Sequence, residues 1–274
     1  MRARKHENAN APFMPAILAR LAPEFGAEVI FEPEFRIVGL IRFPNGRQSY
    51  FWHNKFNLNS VSAARLAQDK GYTVHFLQTL GFRVPRTLTF FREDFRRKIG
   101  SPRGLSSAQA FARELGWPVY VKPCRLSQGV GVSMATSHRA LAQNARHAFA
   151  FDRTLLVQEA CRGRDYRLVV LDGEVISAYE RVPLSVIGDG TATIGELLST
   201  RQREFDESGR DTQIDLEDPR LARTLSRQRL SRTSVLPPGH CVRLLDVANL
   251  SCGGTTVETT DRVQIGRASC RERV

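Results

Sequence analysis

Apolar residues recur along the chain at two spacings, one typical of strands and the other typical of helices. Residues 36–53 alternate around Pro44, Asn45 and Gly46, a pattern that predicts a β-hairpin. Residues 59–81 carry apolar side chains at helical spacing. Gly71 is expected to divide this stretch into two helices, and Gly81 to end the second.

The same reasoning assigns the remaining elements. Further helices are predicted over residues 106–116, with serine at the cap, 137–151 and 193–205. Strands are predicted over residues 82–90, 118–123, 129–135 and 240–251, and a strand that runs into a loop over 154–163. A hairpin is predicted over 165–183, with its turn at Asp172 and Gly173. Mixed strands and helices with several hairpins predict an α+β fold with largely antiparallel sheets.

Bulk composition limits the class of protein. A chain of 274 residues with 42% apolar content is long enough for one large domain or two modest ones. No apolar run approaches the roughly 20 residues that span a membrane, and the basic N-terminus lacks a secretory pattern, so a cytoplasmic protein without membrane contact is expected. The five cysteines are scattered without a C-x-x-C pair, which favours neither a zinc site nor a disulfide framework.

Charge adds an expectation about partners. The formal net charge of +12 favours anionic ligands such as phosphates, carboxylates or nucleic acid. The densest basic stretches, Phe91–Lys98 and Leu225–Arg232, lack interleaved aromatic residues, and solvated helix faces account for them. Nucleic-acid binding is therefore the secondary hypothesis.

The C-terminal stretch Ile265–Val274 is excluded from the fold prediction. Its ten residues can be back-translated into a common sequencing adapter read in one frame. The stretch holds three arginines and one glutamate, so its exclusion takes the net charge from +12 to +10. It also removes Cys270 and leaves four cysteines.

Candidate chemistry begins in the stretch 116–132, "GWPVYVKPCRLSQGVGV". Lys122 lies in an apolar strand, and the loop "SQGVG" follows within a few residues. A fixed ammonium beside a loop of exposed backbone amides suits a polyphosphate. A lysine on a strand edge is the simpler alternative, and the spacing matches neither a P-loop nor a Rossmann fingerprint.

A second candidate lies in "LLVQEACRGRDYRL". A buried strand over residues 155–157 continues into 158–161, where backbone groups can meet an adenine edge. Asp165 follows at a position from which a carboxylate can accept from ribose hydroxyls. A strand ending in an acidic turn is the alternative reading of this stretch.

Five segments in order carry a family resemblance: "QDKGYT", "LGWPVYVKP" with "SQGVGV", "LLVQEACRGRDYRL", "IGDGTATIGEL" and "ANLSCGGT". Together they resemble the ATP-grasp superfamily, in particular ligases akin to cyanophycin synthetase and the bifunctional glutathione synthetases. The resemblance covers residues 65–263 and implies two α/β subdomains that grip ATP between antiparallel sheets. A lid subdomain is expected over about 84–155 and a C-terminal subdomain from about 156, with residues 1–64 as a preceding segment.

The resemblance also implies roles for individual residues. Lys70 and Lys122 are expected to contact ATP phosphates, and Asp165 to contact ribose. Arg167 is assigned to the nucleotide site, and Arg181 and Asn249 to the catalytic centre. The lid loop is assigned to Ser127, Gln128, Gly129, Val130 and Gly131, and the adenine hinge to Gln158, Glu159, Ala160 and Cys161.

The implied reaction is the ATP-dependent joining of a carboxylate and an amine through an acylphosphate. The substrates are expected to be amino acids or peptides, and a glutathione-synthetase-like or other peptide ligase is the alternative; a homo-oligomer stays open. Magnesium is expected as a second cofactor, but its Asp and Glu-x-Asn ligands lie beyond residue 263 in relatives, which predicts a truncated chain without ligation activity. Relatives also carry arginine where this chain has Leu245.

Overall fold

The computed structural model describes residues 13–262, and the chain divides after Leu66 into two compact units. The adapter-like stretch Ile265–Val274 lies outside the described residues. Each unit is built on antiparallel strands, and every strand pair in the described range is antiparallel. The predicted α+β class with antiparallel sheets is therefore confirmed.

The N-terminal unit is a small sheet with one helix. Its elements are α1 (Phe13–Leu21), β1 (Glu28–Phe31), β2 (Val38–Arg42), β3 (Gln48–Trp52) and β4 (Lys55–Phe56), and the strands lie in sequence order. The hairpin predicted over residues 36–53 is confirmed, since Val38 pairs with Trp52 and Arg42 with Gln48. Gly46 closes the turn at a φ of 78°, a value that glycine adopts without strain.

The helices after this sheet divide earlier than predicted. α2 spans Val61–Gln68 and α3 spans Lys70–Thr79, so the break falls at Asp69 and the expectation of a break at Gly71 is wrong. The Asp69 carboxylate caps α3 by accepting from the amides of Gly71, at 3.0 Å, and Tyr72, at 3.3 Å. Gly71 serves packing instead, because a Cβ there would lie 2.6 Å from Thr89 Oγ1.

The larger unit continues with alternating helices and strands. In chain order its elements are β5 (Thr87–Phe91), α4 (Glu93–Lys98), α5 (Leu105–Leu115), β6 (Val119–Pro123), β7 (Ser133–Ala135), α6 (His138–Phe151), β8 (Thr154–Glu159), β9 (Asp165–Leu171), β10 (Glu174–Val182), β11 (Ser185–Ile187), α7 (Ile194–Glu207), α8 (Pro219–Arg227), β12 (Cys241–Arg243) and β13 (Thr255–Glu258).

A four-stranded sheet in the order β5-β8-β6-β7 forms the first half of this unit. Helices α5 and α6 cover one face and bury the first core, which includes Phe90, Leu141, Leu155 and Val157. β8 spans residues 154–159 and pairs with both β5 and β6. The boundary expected at about residue 155, between the lid subdomain and the C-terminal subdomain, falls inside this strand.

The second half carries two smaller sheets and a second core. β9 and β10 form the predicted hairpin, with Asp172 and Gly173 at φ values of 50° and 88°, and β13 pairs with the other edge of β10. β11 pairs with β12, and helices α7 and α8 pack nearby. Ile194, Leu198, Leu225 and Leu244 are among the fully buried residues of this core.

Three predicted boundaries are corrected. α5 begins at Leu105 behind Gly104, so the helix has no serine side-chain cap. The strand predicted over residues 129–135 is reduced to β7, since Gly129 and Gly131 adopt φ values of 75° and 68° that end the extended backbone. The strand predicted over residues 240–251 is only β12, because the chain then turns through a short 3₁₀ helix at Leu250–Cys252.

The basic stretches are exposed and partly neutralised. Arg96 and Arg97 both form ion pairs with Glu93 on α4, with distances of 2.7 and 2.8 Å. The stretch Leu225–Arg232 leaves the helix after Arg227. Among the described helices, none combines the length and apolar content needed to cross a bilayer.

Candidate active site

Lys122 is a half-buried lysine held in a defined position. The alternation of β6 places Tyr120 and Lys122 on one face of the strand, while Val119 and Val121 face the first core. The Lys122 Nζ donates to Gln158 Oε1 at 2.5 Å, and Gln158 Nε2 donates to Thr87 Oγ1 at 2.7 Å. Burial, with the nearby charge of Lys70, lowers the pKa of Lys122 to about 8. A nearby anion would therefore stabilise the charged form of Lys122.

Lys70 brings a second positive charge to the same region. It is the first residue of α3, which the Asp69 cap fixes in place. The Lys70 Nζ donates to the Cys124 carbonyl at 3.3 Å and to the Leu126 carbonyl, and burial lowers its pKa. Lys70 is therefore attached to the chain that leads from Lys122 into the glycine loop.

The glycine loop, residues 127–131, contains three amides without a protein acceptor among the described residues. Gln128, Gly129 and Gly131 all have positive φ values, between 57° and 75°. Within residues 13–262, the amides of these three residues donate to no protein atom. Successive free amides in such a conformation form a concave donor surface suited to an anion. Gly131 is also required sterically, because a Cβ there would lie 2.8 Å from Pro123 Cγ.

Side chains from distant parts of the chain hold the carbonyls of this loop in place. Arg220 Nη1 donates to the Gly129 carbonyl at 2.7 Å and to the Val132 carbonyl at 3.3 Å. The Arg220 guanidinium is fixed by two hydrogen bonds to Asp218 Oδ2, from Nη2 at 2.6 Å and from Nε at 2.9 Å. Both side chains are less than 20% exposed. Ser251 Oγ donates to the Gln128 carbonyl at 3.1 Å. Carbonyl contacts of this kind leave the loop amides available.

Replacing Arg220 by methionine should loosen the glycine loop. The change removes the hydrogen bonds from Arg220 to the carbonyls of Gly129 and Val132. The amides of Val130 and Val132, which donate to the carbonyls of Ser127 and Gly129, should then exchange at least about tenfold faster, the loss expected for one or two hydrogen bonds. The measurement is amide exchange followed by mass spectrometry. Arg203→Met, on the exposed face of α7, is the matched control. Unchanged exchange in Arg220→Met would refute the anchoring role.

A cleft of about 550 Å³ adjoins Lys122. It is lined by seven of the residues that the sequence singles out: Lys122, Gln158, Glu159, Cys161, Asp165, Arg181 and Asn249. Lys70, Ala160, Arg167 and residues 127–131 are not among the lining residues. Arg167 is exposed on β9. Asn249 connects the cleft to the loop, because a Cβ on Gly129 would lie 3.0 Å from its Oδ1.

Asp165 and Arg181 form one unit in this cleft. They are cross-strand partners on β9 and β10, and the Arg181 guanidinium donates to both Asp165 oxygens at distances from 2.6 to 2.9 Å. A carboxylate has about four acceptor sites, so Asp165 keeps capacity for a further donor. The predicted ribose ligand therefore also orients the predicted catalytic arginine.

Several cleft residues escape the sequence prediction. Tyr120, Arg243 and Asp246 line the cleft, and the Tyr120 hydroxyl donates to the Asp246 carbonyl at 3.1 Å. Strand alternation alone would have placed Tyr120 beside Lys122. The sequence gives a weaker indication of the Arg220 and Asp218 pair: Asp218 followed by Pro219 is typical of the start of a helix.

Two further residues, Cys124 and Leu245, supply neither a reactive nor a charged group. Cys124 is buried, and burial raises the pKa of its thiol to about 11, which disfavours the reactive thiolate. Leu245 is 4% exposed and packs within the second core, so this position supplies an apolar side chain and no charge.

The described residues do not form a metal centre. Within residues 13–262, no group of three or more His, Cys, Asp and Glu side chains is arranged to hold a metal ion. The magnesium expected from the family resemblance therefore has no ligand set among these residues, and no reaction step is assigned to it.

The antiparallel sheets around this cleft agree with the ATP-grasp fold that the resemblance implied. Residues 76–189 match the family model described as D-ala D-ala ligase C-terminus. This segment of the chain is therefore similar to that ligase family. The cyanophycin synthetase of Crocosphaera subtropica is 33% identical over 80% of this chain and 24% of its own length.

Other relatives support the same assignment. The glutathione biosynthesis bifunctional protein of Desulfotalea psychrophila is 28% identical over 60% of this chain and 23% of its own length. The crystal structure of a bifunctional glutathione synthetase from Pasteurella multocida has a TM-score of 0.53 at 22% identity, over 96% of this chain and 36% of that one, and shows the fold. The chain spans about a quarter of the length of these curated relatives.

Proposed function

We propose that this domain binds ATP in the cleft beside Lys122 and that the protein joins a carboxylate to an amine. The half-buried Lys122 carries the proposal: it is fixed by Gln158, its pKa is lowered, and it adjoins a loop with free amides. Placing an ammonium in such surroundings is unfavourable unless an anion compensates it. Of the relatives that share the segment, one is named cyanophycin synthetase and another is named a glutathione biosynthesis bifunctional protein.

Each element has a role in this proposal. Lys122 and Lys70 neutralise the β- and γ-phosphates, and the free amides of Gln128, Gly129 and Gly131 donate to them. The end of β8 and the residues after it, Gln158–Cys161, face the adenine, and Asp165 accepts from ribose. Arg181 and Asn249 line the same cleft and contact the transferring phosphoryl group and the carboxylate.

The proposed chemistry has two steps. A substrate carboxylate oxygen attacks the γ-phosphorus, and ADP leaves with the electron pair of the broken bond. The amine nitrogen then attacks the acyl carbon of the acylphosphate, releases inorganic phosphate, loses a proton and forms the amide. Bound magnesium would neutralise phosphate charge in such a transfer. The closed glycine loop would keep water from the acylphosphate.

The test has a binding arm and a chemical arm. Calorimetry should show that this chain binds ATP, and the protein should form a hydroxamate when incubated with ATP, magnesium, hydroxylamine and a panel of amino acids and dipeptides. Hydroxylamine replaces the amine, so a hydroxamate that depends on one carboxylate reports the acylphosphate. Failure to bind ATP, with salt-dependent retention on DNA, would instead support the nucleic-acid hypothesis.

A further inference from the structure

A second cavity, here called the arginine cavity, lies between β7, α6 and α8. Its volume is about 290 Å³, and three of its lining residues are Arg220, Arg223 and Arg227. The spacing of these arginines along α8 brings them to one helix face. The residues that the proposed ATP site uses do not line it.

One positive charge in the arginine cavity has no carboxylate partner. Arg220 is paired with Asp218, and Arg227 with Asp246, each at 2.6 Å. Arg223 donates only to neutral oxygens, those of the Asn144 side chain and the Pro219 carbonyl, both at 3.1 Å. Among the described contacts it therefore keeps donors and a full charge for a ligand.

The inner wall of the arginine cavity is polar and fixed. Asn144 is 3% exposed and is held between Arg223 and the Met134 carbonyl, to which its Nδ2 donates at 3.1 Å. Ser133 is 6% exposed, and its hydroxyl has no hydrogen-bond partner among the described residues. Buried hydroxyls are nearly always bonded, so an unpartnered one in a cavity wall marks a position for a ligand or solvent atom.

The arginine cavity adjoins the cleft of the proposed ATP site. Val132, Asp246 and Val247 line both spaces. A volume near 290 Å³ is at the small end of small-molecule sites, which run from roughly 300 to 1,000 Å³, and suits one part of a larger ligand. A molecule that reacts in the cleft can therefore extend one group past Val132 into the cavity.

We propose that the arginine cavity is an oxyanion subsite in which Arg223 and Ser133 bind a carboxylate or phosphate group of the substrate. The guanidinium supplies charge and two-donor geometry, and the serine hydroxyl supplies a third donor. The subsite would select substrates with an acidic group at a distance from the reacting carboxylate. That the bound group belongs to a substrate rests on the proposed ligase function. That the arginine cavity binds an anion does not depend on that function.

Calorimetry without nucleotide tests the subsite. The probes are inorganic phosphate, the dipeptide aspartyl-aspartate and the uncharged N-acetylglycylglycine amide. We expect one or both anions to bind and the amide not to bind, with the stronger anion identifying the group as phosphate or carboxylate. Arg223→Gln and Ser133→Ala should each weaken anion binding, Arg223→Gln by about tenfold or more.

Arg229→Gln is the matched control, since Arg229 is exposed just beyond α8 and does not line the arginine cavity. It should leave anion binding unchanged. No anion binding to the wild type, or equal affinities in wild type and Arg223→Gln, would overturn the subsite. ATP affinity measured on the same variants should not change, so a failed subsite is distinguishable from a failed ATP site.

Discussion

Lys122→Met should lower the affinity of the chain for ATP by about a hundredfold. The lysine side chain can make two charge-assisted hydrogen bonds to phosphate, each worth about 1.5–3 kcal/mol, and methionine keeps the length but not the charge. Calorimetric titration with ATP measures the loss. Lys98→Met, on the exposed end of α4, removes the same charge away from the cleft and should bind ATP like wild type.

The same change should stabilise the free protein at neutral pH. The pKa of Lys122 is lowered from 10.5 to about 8, so the folded state releases a proton that the unfolded state keeps between pH 8 and pH 10.5. Stability contributed by this group therefore rises with pH through that window and is lowest below pH 8. Removal of the buried charge should raise the free energy of unfolding by about 1–3 kcal/mol at pH 7.

These two effects separate a binding lysine from a structural one. Urea unfolding at pH 7 and at pH 10 measures the stability, and the gain should shrink at the higher pH. A variant that is less stable and still binds ATP would show that Lys122 serves the fold. Equal ATP affinity in Lys122→Met and wild type would remove the main support for the proposed function.

The sequence predicts the elements around Lys122 because their signals are local. The apolar run of β6 predicts a strand that fixes Lys122, and the glycines after it predict a loop, where they adopt positive φ values. The turn at Asp172 and Gly173 is predicted for the same reason. Each of these signals is contained within a few residues and depends on backbone sterics or strand period.

Contacts between distant residues could not be predicted in this way. The Arg220 side chain reaches the carbonyl of Gly129, 91 positions earlier in the chain. The pairing of Asp165 with Arg181 follows only from the register of β9 and β10. Local propensity also misplaced the helix break at Gly71, because the Asp69 cap decided where α3 begins. The arginine cavity likewise depends on how α8 packs, which no spacing in the sequence reveals.

The strand β8 illustrates how packing supports the candidate site. Its three central residues, Leu155 to Val157, are all at most 1% exposed, so both faces of the sheet are covered there. Leu155 lies in the first core opposite Phe90 and Pro123 on the neighbouring strands. The next residues of the same strand carry Gln158, which holds Lys122. Loss of packing at Leu155 should therefore affect both stability and the site.

Leu155→Ala should destabilise the larger unit by about 2–5 kcal/mol, since it removes a fully buried side chain and leaves a cavity. Leu171→Ala is the matched control: Leu171 is 45% exposed at the end of β9, and its loss should cost about 0.5 kcal/mol or less. Trp117 packs against the first core and can report urea unfolding by fluorescence in a Trp52→Phe background, because Trp52 is the other tryptophan. Equal destabilisation by the two leucine changes would contradict the assignment of Leu155 to the core that positions Gln158 and Lys122.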